Sequence, residues 1–336
     1  MIKYLGSKRL LVPRIVEIVR SLPRVRTVLD LFSGTARVGH ALKSAGFRVT
    51  ANDHLAYAET LARCYVAADA RKVGAKVERL LAELRRVRPK AGYFTETFCV
   101  ASRFFRPKNG ARIDAMRDRI ARWEIEDRNL EAVLLVSLME AADRVDSTTG
   151  VQMAYLKSWA PRAQNDLVLR LPEILSGPGR ALGLEAADAA RRVKCDLAYL
   201  DPPYNQHKYL GNYHIWETLV RWDRPEAYGV ARKRIDCRDR RSDFNSKPGI
   251  LPALSEVLSN LRARFALVSF NNEGYVPREE MERLLVAWAG SRRRVRTIEV
   301  DHPRYVGARI GIYNPSGVKV GRVSHTRNKE YLFLAG

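Results

Sequence analysis

No run of apolar residues in this 336-residue chain is long enough to span a bilayer. The N-terminus also lacks the basic, apolar and small-residue order of a signal peptide. Neither a membrane-spanning nor a secreted protein is expected. Cysteine is scarce, and Cys64, Cys99, Cys195 and Cys237 are widely scattered with no paired spacing. That argues against a disulfide framework or a thiolate zinc site and suits a reduced, bacterial-type cytosol. Internal repeats and low-complexity segments are missing too. Negative charge is in deficit: 37 acidic residues face 59 basic ones, for a formal net charge of +22 and a pI near 10.2. Such a surplus suits a polyanionic partner and a place near the nucleoid, although an Arg-rich composition can also follow from genome bias. The length allows a large core, as one domain with a sizeable insertion or as two domains.

What is present centres on Asp201-Pro202-Pro203-Tyr204, which follows directly on the apolar run Leu197-Ala198-Tyr199-Leu200. A carboxylate, two rigid prolines and an aromatic ring at the end of a buried strand can grip a flat, amino-bearing ring. The aspartate accepts from the amino group, and the fixed φ angles of the prolines hold neighbouring carbonyls at one orientation. The tyrosine offers a face for stacking. Taken alone, the four residues also fit an ordinary strand ending in a Pro-Pro turn. Earlier in the chain, Val25 to Leu31 reads as a buried strand and Phe32-Ser33-Gly34-Thr35-Ala36 as a loop. Arg37 to Ala45 has helical apolar spacing, ended by Gly46. Phe47 to Ala51 gives a second strand, closed by Asn52-Asp53. Strand, glycine loop, helix, strand and acidic end make up the nucleotide-binding half of a doubly wound sheet, in which the acid takes ribose hydroxyls.

The remainder separates into core and additions. Leu55 to about Arg71 should be one helix. From there to about Leu175 the pattern is mainly helical, over Val77 to Val87, Ile113 to Trp123 and Asn129 to Val145. The stripe Ile113, Met116, Ile120 and Trp123 reads as a core-facing side. Near Gly177-Pro178-Gly179 the chain should return to the sheet. Tyr209, Tyr213 and His214 could hold a base, but helix packing is the preferred reading. Arg221 to Lys247, with Arg232, Lys233, Arg234, Arg238, Arg240 and Arg241, reads as a loop lying along phosphates. Phe265 to Phe270 is another buried strand. Arg309 to Val323 alternates like a hairpin around Asn314-Pro315-Ser316-Gly317, and its Arg309, Lys319 and Arg322 would suit a ribbon entering a groove.

Met1 to Lys8, Asp30 to Ala36, Asn52-Asp53 and Asp201 to Tyr204 together resemble the Dam-like, alpha-group adenine DNA methyltransferases. The resemblance extends to Glu330-Tyr331-Leu332-Phe333. Asn205 to Leu219 and Ser137 to Lys157 look closest to modification enzymes of type IIS restriction systems. The resemblance implies a Rossmann-like α/β fold, mostly parallel with one antiparallel strand, carrying a mainly helical insertion. Residues 1–70 and 180–336 would form the catalytic domain, and 71–179 would be the insertion and candidate target-recognition region. S-adenosylmethionine would be the methyl donor, leaving S-adenosylhomocysteine, with no metal. The 6-amino nitrogen of a flipped-out adenine in double-stranded DNA would be the acceptor. A cognate restriction endonuclease acting separately is a partner this reading allows.

By the same resemblance, Tyr4, Gly6, Ser7 and Lys8 lie at the donor's methionine end, Asp30, Phe32 and Gly34 line its pocket, and Asn52-Asp53 reach its ribose. Asp188 stands where the family places an acid near the donor's adenine, with a simple helix N-cap as the alternative. Asp201 faces both donor and base. One position departs from the family's Phe-x-Gly-x-Gly loop, because the second glycine is Ala36. A positive φ there would make the methyl group costly, whereas the first turn of the helix would accept it. The helical turn is the expectation. A ribosomal RNA amino-methyltransferase, a cytosine 4-amino acceptor and a non-catalytic DNA-binding relic are the competing readings.

Overall fold

The computed structural model describes residues 1–290, 294–303 and 327–336. Its seven-stranded sheet is built from β1 (Thr27–Asp30), β2 (Arg48–Asn52), β3 (Arg180–Leu182), β4 (Lys194–Leu200), β5 (Arg262–Asn271), β6 (Val295–Pro303) and β7 (Arg327–Ala335). The spatial order is β3-β2-β1-β4-β5-β7-β6. Neighbours from β3 to β5 pair in parallel. β7 lies antiparallel to both β5 and β6, so it alone runs against the rest, as expected. The expected hairpin around Asn314, with Arg309, Lys319 and Arg322, lies outside the described residues.

Both faces of the sheet are covered, which explains why its strands read as continuous apolar runs. Alternate residues serve opposite cores. Val28, Leu197, Tyr199 and Leu267 face one cluster; Leu29, Ala198, Leu200 and Val268 face the other. The first face carries α1 (Val12–Ser21), α2 (Arg37–Ser44) and α3 (Ala56–Ala62). The second carries α7 (Ala186–Arg192), α9 (Ile250–Asn260) and α10 (Arg278–Ala289).

Between α3 and β3 the chain forms α4 (Ala70–Arg85), α5 (Pro107–Arg122) and α6 (Arg128–Asp143). Their apolar sides join the same cluster as α1 to α3, with Ile113, Met116 and Ile120 buried as expected. α6 is buried nearly all round, from Leu130 through Asp143, so it is the central post of this helical layer. One expected helix is broken: the segment from Leu55 toward Arg71 ends as an α-helix at Ala62, makes a π-helical turn over Arg63–Ala67, and restarts at Ala70. The buried Lys43 ammonium donates to the carbonyls of Val66 (2.8 Å) and Ala68 (2.7 Å), which gives those chain-end acceptors a partner and fixes the break.

Candidate active site

Four strand ends converge at the carboxyl edge of the sheet. β1 delivers Asp30, β2 delivers Asn52 and Asp53, β4 delivers Asp201, and β5 delivers Asn271. The chain reverses its direction of growth between β1 and β4, which is where open α/β sheets place their ligands. A cavity of about 680 Å³ opens there, lined by Tyr4, Asp30, Gly34, Asp53, Tyr199 and Asp201 among others. Gly6, Ser7, Lys8, Phe32, Asn52, Asp188 and Pro203 also reach it.

The floor of the cavity is acidic. Asp30 Oδ2 accepts from the Gly39 N–H at 2.9 Å, while its buried Oδ1 has no partner among the described residues. Burial raises the Asp30 pKa to about 7, against the opposing Gly39 bond. Asp53 accepts from the Gly34 N–H (3.0 Å) and from the Leu55 N–H (3.1 Å), and burial raises its pKa as well. An orphaned buried carboxylate oxygen calls for a donor or a cation. A sulfonium-bearing donor with ribose hydroxyls fits this set.

The loop between β1 and α2 is held by two left-handed residues. Gly34 has φ +50°, and a Cβ there would meet the Tyr4 hydroxyl at 3.2 Å. Ala36 has φ 59° and ψ 18° and is the N-cap of α2. This corrects the expectation that Ala36 opens the helix in a right-handed turn. The position does demand positive φ, and alanine occupies it fully buried with its N–H donating to the Ser33 carbonyl at 2.7 Å. The left-handed well costs a residue with a Cβ roughly 1 kcal/mol.

The other half of the cavity is aromatic. Tyr4 lies against both Tyr209 (centroids 5.2 Å apart) and Tyr213 (4.7 Å), whose own centroids are 6.4 Å apart, so the three near-parallel rings form one cluster. The Tyr213 hydroxyl oxygen accepts from the Leu5 N–H at 2.6 Å and fixes the N-terminal strap. Tyr213 is buried, and the ring of buried His214 lies 3.0 Å from the Gln152 carbonyl, with burial lowering its pKa to about 3. Both therefore pack α8 (His214–Arg221), as preferred. Tyr209 reaches the cavity.

At the end of β4, Pro202 is buried and Pro203 lines the cavity. The Tyr204 hydroxyl accepts from the Asn271 amide at 3.1 Å, and its ring leans on Phe270. Lys8 points into this corner. Its ammonium lies 3.2 Å from Asp201 Oδ1, 3.3 Å from Glu330 Oε2 and 5.5 Å from the Tyr204 ring centre. Burial opposes the lysine's charge, but Asp201, Tyr204 and Glu330 outweigh it and the pKa lies well above the ordinary lysine value. Burial raises Asp201 to about 6, against the pull of Lys8 and with a further push from Glu330.

Several expected site residues stand elsewhere or have other partners. Asn52 bonds Leu31 and Leu184 carbonyls through its amide nitrogen and takes the Leu184 N–H on its oxygen, at 3.0–3.1 Å. Its side chain thus ties strands together and has no hydrogen left for a donor molecule. Asp188 is not the N-cap of α7; Glu185 is, and Asp188 sits in the first turn, paired with Arg191 at 3.3 Å. Arg234, expected on phosphates, is buried and grips Asp223 at 2.7 Å and Asp236 at 3.1 Å. It anchors the two short strands Ala227–Tyr228 and Lys233–Arg234. Arg232 reaches the Ala101 carbonyl at 3.4 Å, and Lys233 is half-buried. Arg238, Arg240 and Arg241 remain exposed, and the last two flank the cavity mouth. Glu330 and Phe244 were not anticipated. Phe244 meets Phe32 edge-on at 5.1 Å, and Glu330 lies across β5 and β7 from Asn271.

Residues 4–263 match the family model of the D12 class N6 adenine-specific DNA methyltransferases. The chain belongs to this family. It is 31% identical over 254 residues to the type II methyltransferase M.NlaIII of Neisseria lactamica, covering 73% of this chain and 75% of that one. It is also 30% identical over 302 residues to the type II methyltransferase M.FokI of Planomicrobium okeanokoites and 28% over 300 residues to the modification methylase StsI of Streptococcus sanguinis. Each of these two alignments covers 84% of this chain but 46% of the relative, so the chain spans about half the length of these two curated relatives. As a D12-class chain, it carries the Asp-Pro-Pro-Tyr corner at the end of β4. Among the described residues no helix is long and apolar enough to cross a membrane.

Proposed function

We propose that this chain moves a methyl group from S-adenosylmethionine to the 6-amino nitrogen of an adenine flipped out of duplex DNA, within a restriction-modification system. One observation carries the reading: Asp201 stands at the lip of a cavity whose floor holds the Asp53 carboxylate and the Asp30 carboxylate, whose Oδ1 has no partner among the described residues. Donor site and amino-group acceptor are thus one continuous space. The family match sets aside ribosomal RNA and cytosine as first choices.

When bound, the donor supplies an electrophilic methyl group on a sulfonium. Asp53 is placed for ribose hydroxyls and Asp30 for the cationic end, while Tyr4 and Phe32 give the cavity flat apolar walls. The adenine amino nitrogen is a weak nucleophile because its lone pair is delocalised into the ring. Asp201, ionised above its raised pKa, accepts a hydrogen bond from one amino hydrogen, and the Pro202 carbonyl accepts the other. Density then returns to the nitrogen, fixed acceptors stabilise the charge that develops there, and the surplus amino proton leaves along the Asp201 hydrogen bond to solvent as the methyl group is taken up. Tyr204 takes over the stacking that the base loses on leaving the duplex. The helical layer between residues 71 and 179 is the candidate target-recognition region, with Arg238, Arg240 and Arg241 on phosphates.

Expression in a methylation-free host, followed by modified-base sequencing of its DNA, tests this reading. N6-methyladenine in one sequence context is the expected result. Unmarked adenine, with folded protein present, would overturn it.

A further inference from the structure

The Lys8 ammonium is enclosed by two carboxylates that come from distant parts of the chain. Asp201 follows β4, and Glu330 sits on β7, the one strand that runs against the others. Register explains the delivery. Glu330 pairs with Asn271 on β5, and Asn271 in turn holds the Tyr204 hydroxyl. Side chains of Lys8 and Glu330 are only 6% and 7% exposed, so neither charge is a solvated surface group. Enclosing three charges is costly unless each has a near partner, and removing one member leaves another uncompensated.

A Lys8–Asp201 pair alone would be neutral and would weaken the acceptor. Adding Glu330 returns the cluster to one net negative charge and divides the pull of the ammonium between two anions. We propose that Glu330 is a positioning residue for methyl transfer, acting through Lys8: it draws the ammonium to one side of Asp201, so that one carboxylate oxygen is tethered and the other is presented to the amino group. This rests on the reading of Asp201 as the amino-group acceptor.

The groups facing Asp201 from every neighbouring element are Lys8, Glu330, Asp30, Tyr199, Tyr204 and Tyr209. Burial keeps all three tyrosines neutral across the working range. Asp30 is a like charge common to every variant, so Lys8, 3.2 Å from Asp201, and Glu330 are the two charges whose removal moves Asp201 in opposite directions. Lys8→Met should raise its midpoint by about one pH unit or more, and the isosteric Glu330→Gln should lower it by about half a unit. A residue that merely supports the fold would not produce shifts of opposite sign.

The test is an infrared difference titration of the full chain from pH 4 to 9. The Asp201 band is assigned by its loss in Asp201→Asn, and the acid limb of single-turnover methylation is followed in parallel. Opposite shifts, with the rate limb of Glu330→Gln moving down alongside its band and Lys8→Arg restoring the wild-type midpoint, are expected. Unmoved midpoints, or two shifts in one direction, would overturn the proposal. Glu330→Gln changes no shape, so it decides the matter even where Lys8→Met does not fold. The titration needs no turnover; wild-type protein that leaves adenine unmarked would refute the functional reading while the band shifts still report on the bridge.

Discussion

Asp201 and Asp30 carry opposite demands at a single edge of the sheet. Accepting the amino hydrogen needs Asp201 ionised, a bound cationic donor favours ionised Asp30, and burial resists both. For Asp201 the active form exists above its pKa of about 6, so single-turnover methylation should fall as pH drops through 6 and level off above 7. A flat profile between pH 5 and 8, with chemistry rate-limiting, would contradict this assignment. For Asp30 the sign concerns stability. Its folded pKa, about 7, lies above the ordinary carboxylate value. The folded state therefore binds its proton more tightly than the unfolded state. That contribution is complete at low pH and is lost as pH climbs from near 4 through 7. Asp30→Asn should flatten the decline of Tm over that window and weaken donor binding measured by calorimetry. The acid at Asp201 was legible in the sequence because Pro-Pro-Tyr follows a buried run. Glu330 was not, because its meaning depends on a strand register with a segment about 60 residues away that no local pattern announces.

Elements decide which of the expected ligands can act. The β1–α2 loop carries Ala36 in the left-handed well, where glycine has no Cβ penalty. Ala36→Gly should therefore raise Tm by a few degrees, corresponding to roughly 1 kcal/mol, with donor affinity retained or improved. A lower Tm would show that the alanine methyl packs more favourably than its backbone strain costs. No measurable donor binding by wild type at millimolar concentration would support the relic reading. The helix and loop were visible in the sequence, but the sign of φ at one residue was not, since Ala36 suits a helix start by propensity. Asn52 shows the same limit. Its place beside Asp53 suggested a ligand, yet its amide joins β1 and β2 to the chain after β3. Similarly, the break after Ala62 depends on a lysine nineteen residues earlier in the chain, whose reach is a tertiary fact.

Over the whole molecule, a net charge of +22 surrounds an acidic cavity. Outer cations suit phosphates and inner carboxylates suit a sulfonium. Composition revealed the surplus, but it could not sort exposed arginines from structural ones. Arg234 looked equivalent to Arg238, Arg240 and Arg241, yet two aspartates hold it in the interior. Neutralising the three exposed arginines together should weaken DNA binding and reduce the log–log salt slope by roughly two to three, as fewer counterions are released. An unchanged slope would place the phosphate contacts elsewhere. Arg234→Gln should instead lower stability by about 1–2 kcal/mol, because the buried guanidinium and its charge-assisted bonds to the partly exposed Asp223 and Asp236 are lost.

The most direct measurement gives purified protein a duplex and methyl-labelled donor, then digests the DNA to nucleosides. Label in N6-methyl-2′-deoxyadenosine is predicted for the wild type and none for Asp201→Ala, with duplex affinity of the variant largely preserved. Label that persists in Asp201→Ala, or that never reaches adenine in wild-type protein with donor bound, would contradict it.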